Sequence, residues 1–327
     1  LSTADDEITR RCVVRIEQTF RAYRLLLEPR VAERRNLQVL LWGSMDEYRG
    51  YLRSERLDIA NPAYYSVKLN QIVAGSDLSQ YAVELAKARA QNQQVQQEFA
   101  LLSSDMPKRL QLLAEEMKAK GFTRDEIREE QKARRTHWAL EVKQAEKQIA
   151  EMSRRNDARF AEVTREMFRR LSHEAFHAYV ENYVYPHEQG ELPRWLNEGL
   201  AMIFESGQLE ADALRVDAPH AELLARLQAD LAGRQPLPLA QLLAADAPSF
   251  VKAHDLDAAN RNYLYAWGLA YVLTFDHDLL RSERLSAYAA SSTVVDRITP
   301  FEELVDQPLA KFEPQWRAAI MKLKAPK

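Results

Sequence analysis

Cysteine is almost missing from this chain: Cys12 is the only one among 327 residues. A single thiol excludes an internal disulfide and a thiolate metal cluster. It leaves the compartment open, because exported bacterial-type proteins can lack disulfides. Glycine is scarce, at 9 residues, which leans toward helix. No apolar run approaches the roughly 20 residues that span a bilayer, so no integral membrane segment is expected in this chain. Neither sign of charge dominates: the formal net charge is −3, and a nucleic-acid footprint is absent. No internal repeat is visible. Against these absences stand 46% hydrophobic and 28% charged residues, enough for a core in one or two domains. The chain begins at Leu1 rather than Met. The expectation is an exported protein, periplasmic or extracellular, with its signal peptide removed, and the cytoplasm is the alternative.

Along the chain, residues 8–32 read as an amphipathic helix with Val13, Ile16, Phe20, Tyr23 and Leu27 on one stripe. The run 37–42 reads as a buried strand. Ser44 and Glu47 form a capping box that opens a helix. The stretch 64–75 reads as a strand or hairpin ending at Gly75. Residues 1–76 are therefore predicted to be a small α/β unit.

From there the texture changes. Tyr81, Leu85, Ala88, Asn92, Val95, Phe99 and Leu102 recur at alternating steps of four and three, a coiled-coil seam with one polar position. Pro107 predicts a break and a restart. Gly121 stops the helix, and the box of Thr123 and Glu126 starts the next. Trp138, Val142, Ala145, Ile149 and Met152 continue the seam on the return. The prediction is a long antiparallel helical hairpin over 77–160, a solvated coiled-coil arm or a docking arm for a protein partner. Between Gly121 and Gly190 there is no glycine, and Pro186 is the first proline after Pro107. Helix can therefore run on through Phe160, Val163, Met167 and Leu171. The rest of 161–327 reads as helices punctuated at 232–238, 245–249 and 298–300.

The chemistry concentrates in "SHEAFHAYVENYVYPHEQGELPRWLNEGLAMIFE". His173 and His177 are four apart, which on a helix puts both imidazoles on one face. Two neutral imidazoles so placed can bind one Zn²⁺. Glu174, rotated about 100° from the first histidine, can reach a water beside the metal rather than the metal. A solvated helix with two surface histidines would show the same pattern, but Ala175, Phe176, Ala178, Tyr179 and Val180 make this helix apolar on several sides. A catalytic zinc needs a third protein ligand and an open position. Glu198, 21 residues after His177 and early on a second helix, supplies it.

His173-Glu174-x-x-His177 followed by Asn197-Glu198-Gly199-Leu200-Ala201 resembles the gluzincin zinc metallopeptidases, the thermolysin and aminopeptidase N group, and most of all a bacterial peptidase MA-like branch. The resemblance implies a zincin-like catalytic domain with Glu198 as third zinc ligand. It implies that "YLYAWGLAYVLTF" is the downstream helix, in which Tyr265 would donate to the developing oxyanion and Gly268 is the marker glycine; Tyr263 competes for that role. Resemblance covers most of the chain outside the hairpin. Two departures stand out. The Gly-x-Met-Glu-Asn motif of the aminopeptidases is absent. Met202 also occupies the place of the Asp that in thermolysin follows the ligand glutamate by four. Glu205, seven residues after Glu198 on the same face, could replace that Asp or simply face solvent. His187 could line the cleft. His137, His220, His254 and His277 lack ligand spacing. Arg194 could meet a substrate carboxylate, and Trp195 is expected to pack.

The fold expected is α+β and predominantly helical: a small N-terminal α/β unit, the hairpin insertion, and a gluzincin-like zinc-binding helical domain. The function expected is Zn²⁺-dependent hydrolysis of a peptide or protein substrate, with Glu174 as general base. Its rivals are an amide or ester hydrolase of a non-peptide substrate, and a binding or scaffold protein whose coiled-coil arm works beside a residual zinc site.

Overall fold

The computed structural model describes residues 1–32, 36–188, 192–210, 213–246, 250, 257–291 and 296–325. They form two compact units, Leu1–Ser76 with Glu166–Lys327, and Asp77–Arg165. The fold is α+β and mostly helical, and no described helix is long and apolar enough to cross a membrane.

The first unit opens with α1 (Asp6–Leu26), whose first turn is capped when Asp5 accepts from the Ile8 N–H. Its buried line is Ile8, Cys12, Thr19 and Tyr23. Val13, expected on that stripe, is instead 48% exposed: two stripes overlap on this helix, and the one through Cys12 faces the core. Strand β1 (Gln38–Trp42) follows, then α2 (Met45–Ser54), where the Ser44 hydroxyl accepts from the Glu47 N–H at 3.2 Å. The stretch expected as strand or hairpin is a hairpin of β2 (Ala63–Ser66) and β3 (Gln71–Gly75). Sheet order is β1-β3-β2, with β1 parallel and β2 antiparallel to the central β3.

Strand β2 is thus an edge. Gly75 donates to the Pro62 carbonyl at 2.8 Å. In an antiparallel ladder bonded pairs alternate, so Tyr64 bonds to Val73 while Ala63 and Tyr65 turn their N–H and C=O groups outward.

In the second unit, α3 (Leu78–Ala119) faces the opening part of α4 (Arg124–Tyr179). The polar seam position is satisfied across the pair: Asn92 Nδ2 donates to Ser153 Oγ at 3.1 Å. Phe99 meets Trp138 at 5.7 Å between ring centroids. The break expected at Pro107 does not occur, and α3 runs through it. An internal proline removes one helical bond at roughly 3 kcal/mol. Contacts with α4 on both sides offset part of that: Trp138 Nε1 donates to Ser103 Oγ, and Gln131 Nε2 to the Leu110 carbonyl.

Back in the first unit, the closing turns of α4 run into a single π turn, Val180–Val184. Then come α5 (Arg194–Glu205), the short hairpin of β4 (Gln208–Glu210) and β5 (Ala213–Arg215), α6 (Ala221–Leu231), α7 (Leu239–Ala244) and α8 (Asp257–Phe275). Helices α9 (Glu283–Ala290), α10 (Ile298–Val305) and α11 (Leu309–Lys322) close it. The stretch 247–249 and His254 lie outside the described residues.

An aromatic cluster locks α1 to the helices behind it. Tyr23 packs edge-on against Phe176 and Phe204 at 5.4 and 4.6 Å, and the Tyr179 hydroxyl donates to the Leu27 carbonyl. Helices α5 and α8 touch at Gly199. A Cβ there would lie 2.3 Å from the Ala266 carbonyl oxygen and 2.7 Å from the Ala270 Cβ. At Gly268 a Cβ would lie 2.2 Å from Leu227 Cδ2, and the Gly268 carbonyl accepts from Trp316 Nε1. The marker glycine of α8 therefore has a packing explanation.

These contacts rank two substitutions. Alanine normally gains about 0.5–1 kcal/mol over glycine within a helix. At Gly199 the obstructing atoms are backbone and a β-carbon, which cannot rotate away. Gly199→Ala is expected to destabilise the protein by about 1–3 kcal/mol. Gly268→Ala meets a rotatable leucine end and should lose less. Denaturant unfolding followed by circular dichroism measures both, and equal stabilities would contradict the packing.

Candidate metal centre

Three side chains predicted as ligands come together where the end of α4 crosses the start of α5. His173 and His177 lie one turn apart on α4, with ring centroids 4.8 Å apart. Ala175, Phe176, Ala178 and Tyr179, all buried, pin the opposite side of that turn to the core. Glu198 rises from α5 and is 1% exposed. His173 Nε2 is 3.1 Å from Glu198 Oε2, and His177 Nε2 is 3.6 Å from Oε1. One ligand atom from each residue lies within 4.8 Å of the other two.

The back of each ring is held. His173 Nδ1 is 2.8 Å from Glu205 Oε2, whose other oxygen takes Arg169 Nη2 at 2.6 Å. His177 Nδ1 is 3.1 Å from Asn197 Oδ1. With their Nδ1 atoms occupied, both imidazoles turn Nε2 toward Glu198, the arrangement that fixes tautomer and aim in metal sites. Two imidazoles and one carboxylate suit a divalent ion of zinc-like softness. Glu205, left between two readings by the sequence, stands behind His173.

Electrostatics follow from burial and proximity. Burial alone would raise the Glu198 carboxyl, but His177, His173 and Arg194 outweigh it and hold it at about 2. Burial opposes charge on His173, yet hydrogen bonds to Glu198 and Glu205 carry its pKa well above the usual histidine value. His177, with less compensation, is pushed down by burial to about 4. Glu174 is pushed up to about 7, first by burial and then by the Glu198 charge, against the pull of His173, the Tyr65 N–H and Arg194. A carboxylate in that range is matched to proton transfer near neutral pH.

The group sits in a cleft of about 460 Å³. Glu174 lines it without joining the ligand cluster. The opposite wall is the edge strand β2, whose Tyr65 N–H bonds to the Glu174 carboxylate. That wall is tied to the helix by reciprocal amides: Asn70 Nδ2 donates to Asn182 Oδ1 at 2.9 Å, and Asn182 Nδ2 to Asn70 Oδ1 at 2.8 Å. Asn182 lies in the π turn, and Asn70 holds a left-handed φ of 51° in the β2–β3 loop.

Tyr263 and Tyr265 part company here. Tyr263 lines the cleft, and its hydroxyl accepts a hydrogen bond from Arg194. Tyr265, expected at the oxyanion, is placed elsewhere as a correction to that expectation. Two residues along a helix means roughly opposite faces. The Tyr265 hydroxyl donates to Asp230 Oδ2 at 2.5 Å and accepts from the Leu237 N–H at 3.0 Å. It is fully buried, against Trp316. His187 lines the cleft mouth beside Glu181, at 2.6 Å. Trp195 is buried and donates to the Tyr288 hydroxyl. His220 caps α6, and exposed His137 pairs with Glu141.

Sequence reading missed the wall of Ala63, Tyr64 and Tyr65, because nothing local marks a distant strand as a neighbour. The Arg194–Glu198 contact, Nη2 to Oε1 at 2.7 Å, was readable from its i, i+4 spacing.

Loss of a residue behind a ligand typically weakens metal affinity about 10–100-fold. Glu205→Ala is therefore expected to bind zinc that much more weakly than the parent in competition with a chromophoric chelator. Glu222→Ala, at a carboxylate outside the cluster, should bind as the parent does. Unchanged affinity in Glu205→Ala would show that the His173–Glu205 contact does not prepare the ligand.

Residues 168–294 match a family model described as "Protein of unknown function (DUF1570)". That span holds His173, Glu174, His177, Arg194, Glu198, Glu205 and Tyr263, but neither β2 nor the hairpin unit. No curated protein and no solved structure matches the chain.

Proposed function

We propose that this protein is a zinc-dependent peptidase with a zincin-like catalytic domain of the gluzincin kind. The observation that carries the reading is Glu174: a carboxylate outside the ligand set, in the same cleft as two histidines and a glutamate that converge. A purely structural site has no use for a base there. His173, His177 and Glu198 would hold the zinc. When bound, zinc supplies Lewis acidity that polarises a carbonyl and acidifies water.

The chain's own groups do the rest. Glu174, aimed by the Tyr65 N–H, takes a proton from the attacking water and delivers it to the leaving nitrogen. Tyr263, which lines the cleft and accepts from Arg194, would support the developing oxyanion. Glu205 and Asn197 keep the imidazoles aimed. The β2 edge favours an extended peptide over a small amide. Ala63 turns its backbone groups away from β3, and an extended chain can add to such an edge as another strand. A cleft of this size also falls in the range of small-molecule sites, so a non-peptide amide or ester is the second reading.

The test compares wild type, Glu174→Gln, Tyr263→Phe and Tyr265→Phe on a broad peptide library, with zinc content measured for each. All four should retain zinc. Glu174→Gln should lose about 10²-fold or more in kcat, and Tyr263→Phe about 10²-fold. Tyr265→Phe should turn over normally but unfold at lower denaturant, since Asp230 and the Leu237 N–H lose a partner worth about 1–2 kcal/mol. Equal hydrolysis by wild type and Glu174→Gln would sink the proposal. Hydrolysis of small amides or esters but no peptide would move it to the second reading.

A further inference from the structure

Arg194 is the only lysine or arginine among the described residues lining the cleft, whose other charged or titratable groups include Glu174, Glu181, Glu198 and three histidines. It begins α5, so its side chain runs along the face that carries Glu198 one turn later. Nη2 reaches Glu198 Oε1 at 2.7 Å, and a second bond goes to the Tyr263 hydroxyl. A guanidinium has five N–H donors in a rigid fork. The Nε of Arg194 is buried and has no hydrogen-bond partner, while the side chain as a whole keeps 35% exposure toward the cleft.

Neutralising Glu198 does not by itself account for this arginine. A divalent cation held by His173, His177 and Glu198 would engage the same carboxylate, and two cationic groups would then share one anion. The guanidinium lines the cleft and stays 35% exposed there, so it remains within reach of a substrate group. A planar guanidinium fork is matched to a carboxylate. The reach is also suitable. Arg194 contacts a ligand residue directly, and consecutive Cα atoms of a peptide are about 3.8 Å apart. A carboxylate one residue beyond the bond under attack therefore falls beside the fork.

We propose that Arg194 is the specificity-determining residue of the cleft, reading a substrate carboxylate one residue past the scissile bond. The substrate class is then peptides that end at that position, or that carry an acidic side chain there. The proposal rests on the peptidase reading for the bond cleaved, but carboxylate recognition is measurable by binding alone.

The experiment is calorimetric, on zinc-loaded Glu174→Gln protein, which should bind without turning over. The probes are N-acetyl-trialanine as free acid, its C-terminal amide, and the same amide with glutamate as last residue. The free acid should bind about 10- to 100-fold tighter than the plain amide, the range of a charge-assisted hydrogen bond. Adding Arg194→Gln should collapse that gap, and adding Arg194→Lys should restore part of it. Zinc content is measured in each protein, so that loss of metal is not mistaken for loss of the clamp. If the glutamate amide matches the free acid, the clamp stands and an acidic side chain can satisfy it. Equal affinity for acid and plain amide overturns the proposal on substrate chemistry alone, even if the Arg194 variants fail to fold. A gap that persists in Arg194→Gln overturns it as well. An affinity gap without hydrolysis of any peptide by wild type would leave the clamp intact and remove the peptidase reading.

Discussion

A carboxylate is buried where two helices meet, and the surrounding architecture answers to it. Glu198 is 1% exposed, and an ionised group so placed is tolerable only with charged or hydrogen-bonding partners on every side. His173, His177 and Arg194 provide them. Each histidine is then fixed from behind, His173 by Glu205 and through it Arg169, and His177 by Asn197. Removing one member of a buried ionic group costs about 3–5 kcal/mol, because a charge is stranded. The same group that could take a metal thus sets how α4 and α5 must approach. Gly199, pressed on the Ala266 carbonyl, lets α5 take that position without forcing α8 away.

What the sequence disclosed and what it withheld divide along the range of the interaction. His173, His177 and Glu174 share one helical turn, so spacing alone put them on neighbouring faces. Glu198 sits on the next helix, and its surroundings marked it. Tyr263 and Tyr265 could not be separated in the same way. The helix that carries them is apolar nearly all round, with Leu264, Tyr265, Ala266, Trp267 and Leu269 buried, so periodicity gives no hint of which side meets the cleft. The answer came from Asp230 and the Leu237 N–H, which claim the Tyr265 hydroxyl from another part of the chain. Val13 failed for a related reason: two apolar stripes coexist on α1, and only partners distant in sequence choose between them. Pro107 shows local preference overruled, since a residue that usually ends a helix is carried by cross-helix contacts at Ser103 and Leu110.

The π turn at Val180–Val184 joins the two halves of the cleft. Such turns widen a helix by one residue and tend to sit near functional sites. Here the turn carries Asn182, whose amide closes a two-way bond with Asn70 while its Nδ2 also reaches the Ala178 carbonyl. A loop between strands and the end of the histidine-bearing helix are thereby held in register. The distance from the edge strand to Glu174 depends on that bond as much as on either element.

The order of these parts along the chain has a consequence for how the protein is made. The Tyr65 N–H and its partner Glu174 are separated by the whole helical hairpin, roughly 100 residues. At synthesis rates of about 5–20 residues per second, β2 waits on the order of 5–20 s for the carboxylate that takes its outward Tyr65 N–H. An uncovered edge strand invites pairing with another chain, so nascent copies close together on one message are exposed to each other during that interval. The hairpin's two helices, each held by bonds between neighbours in sequence, can form in the meantime.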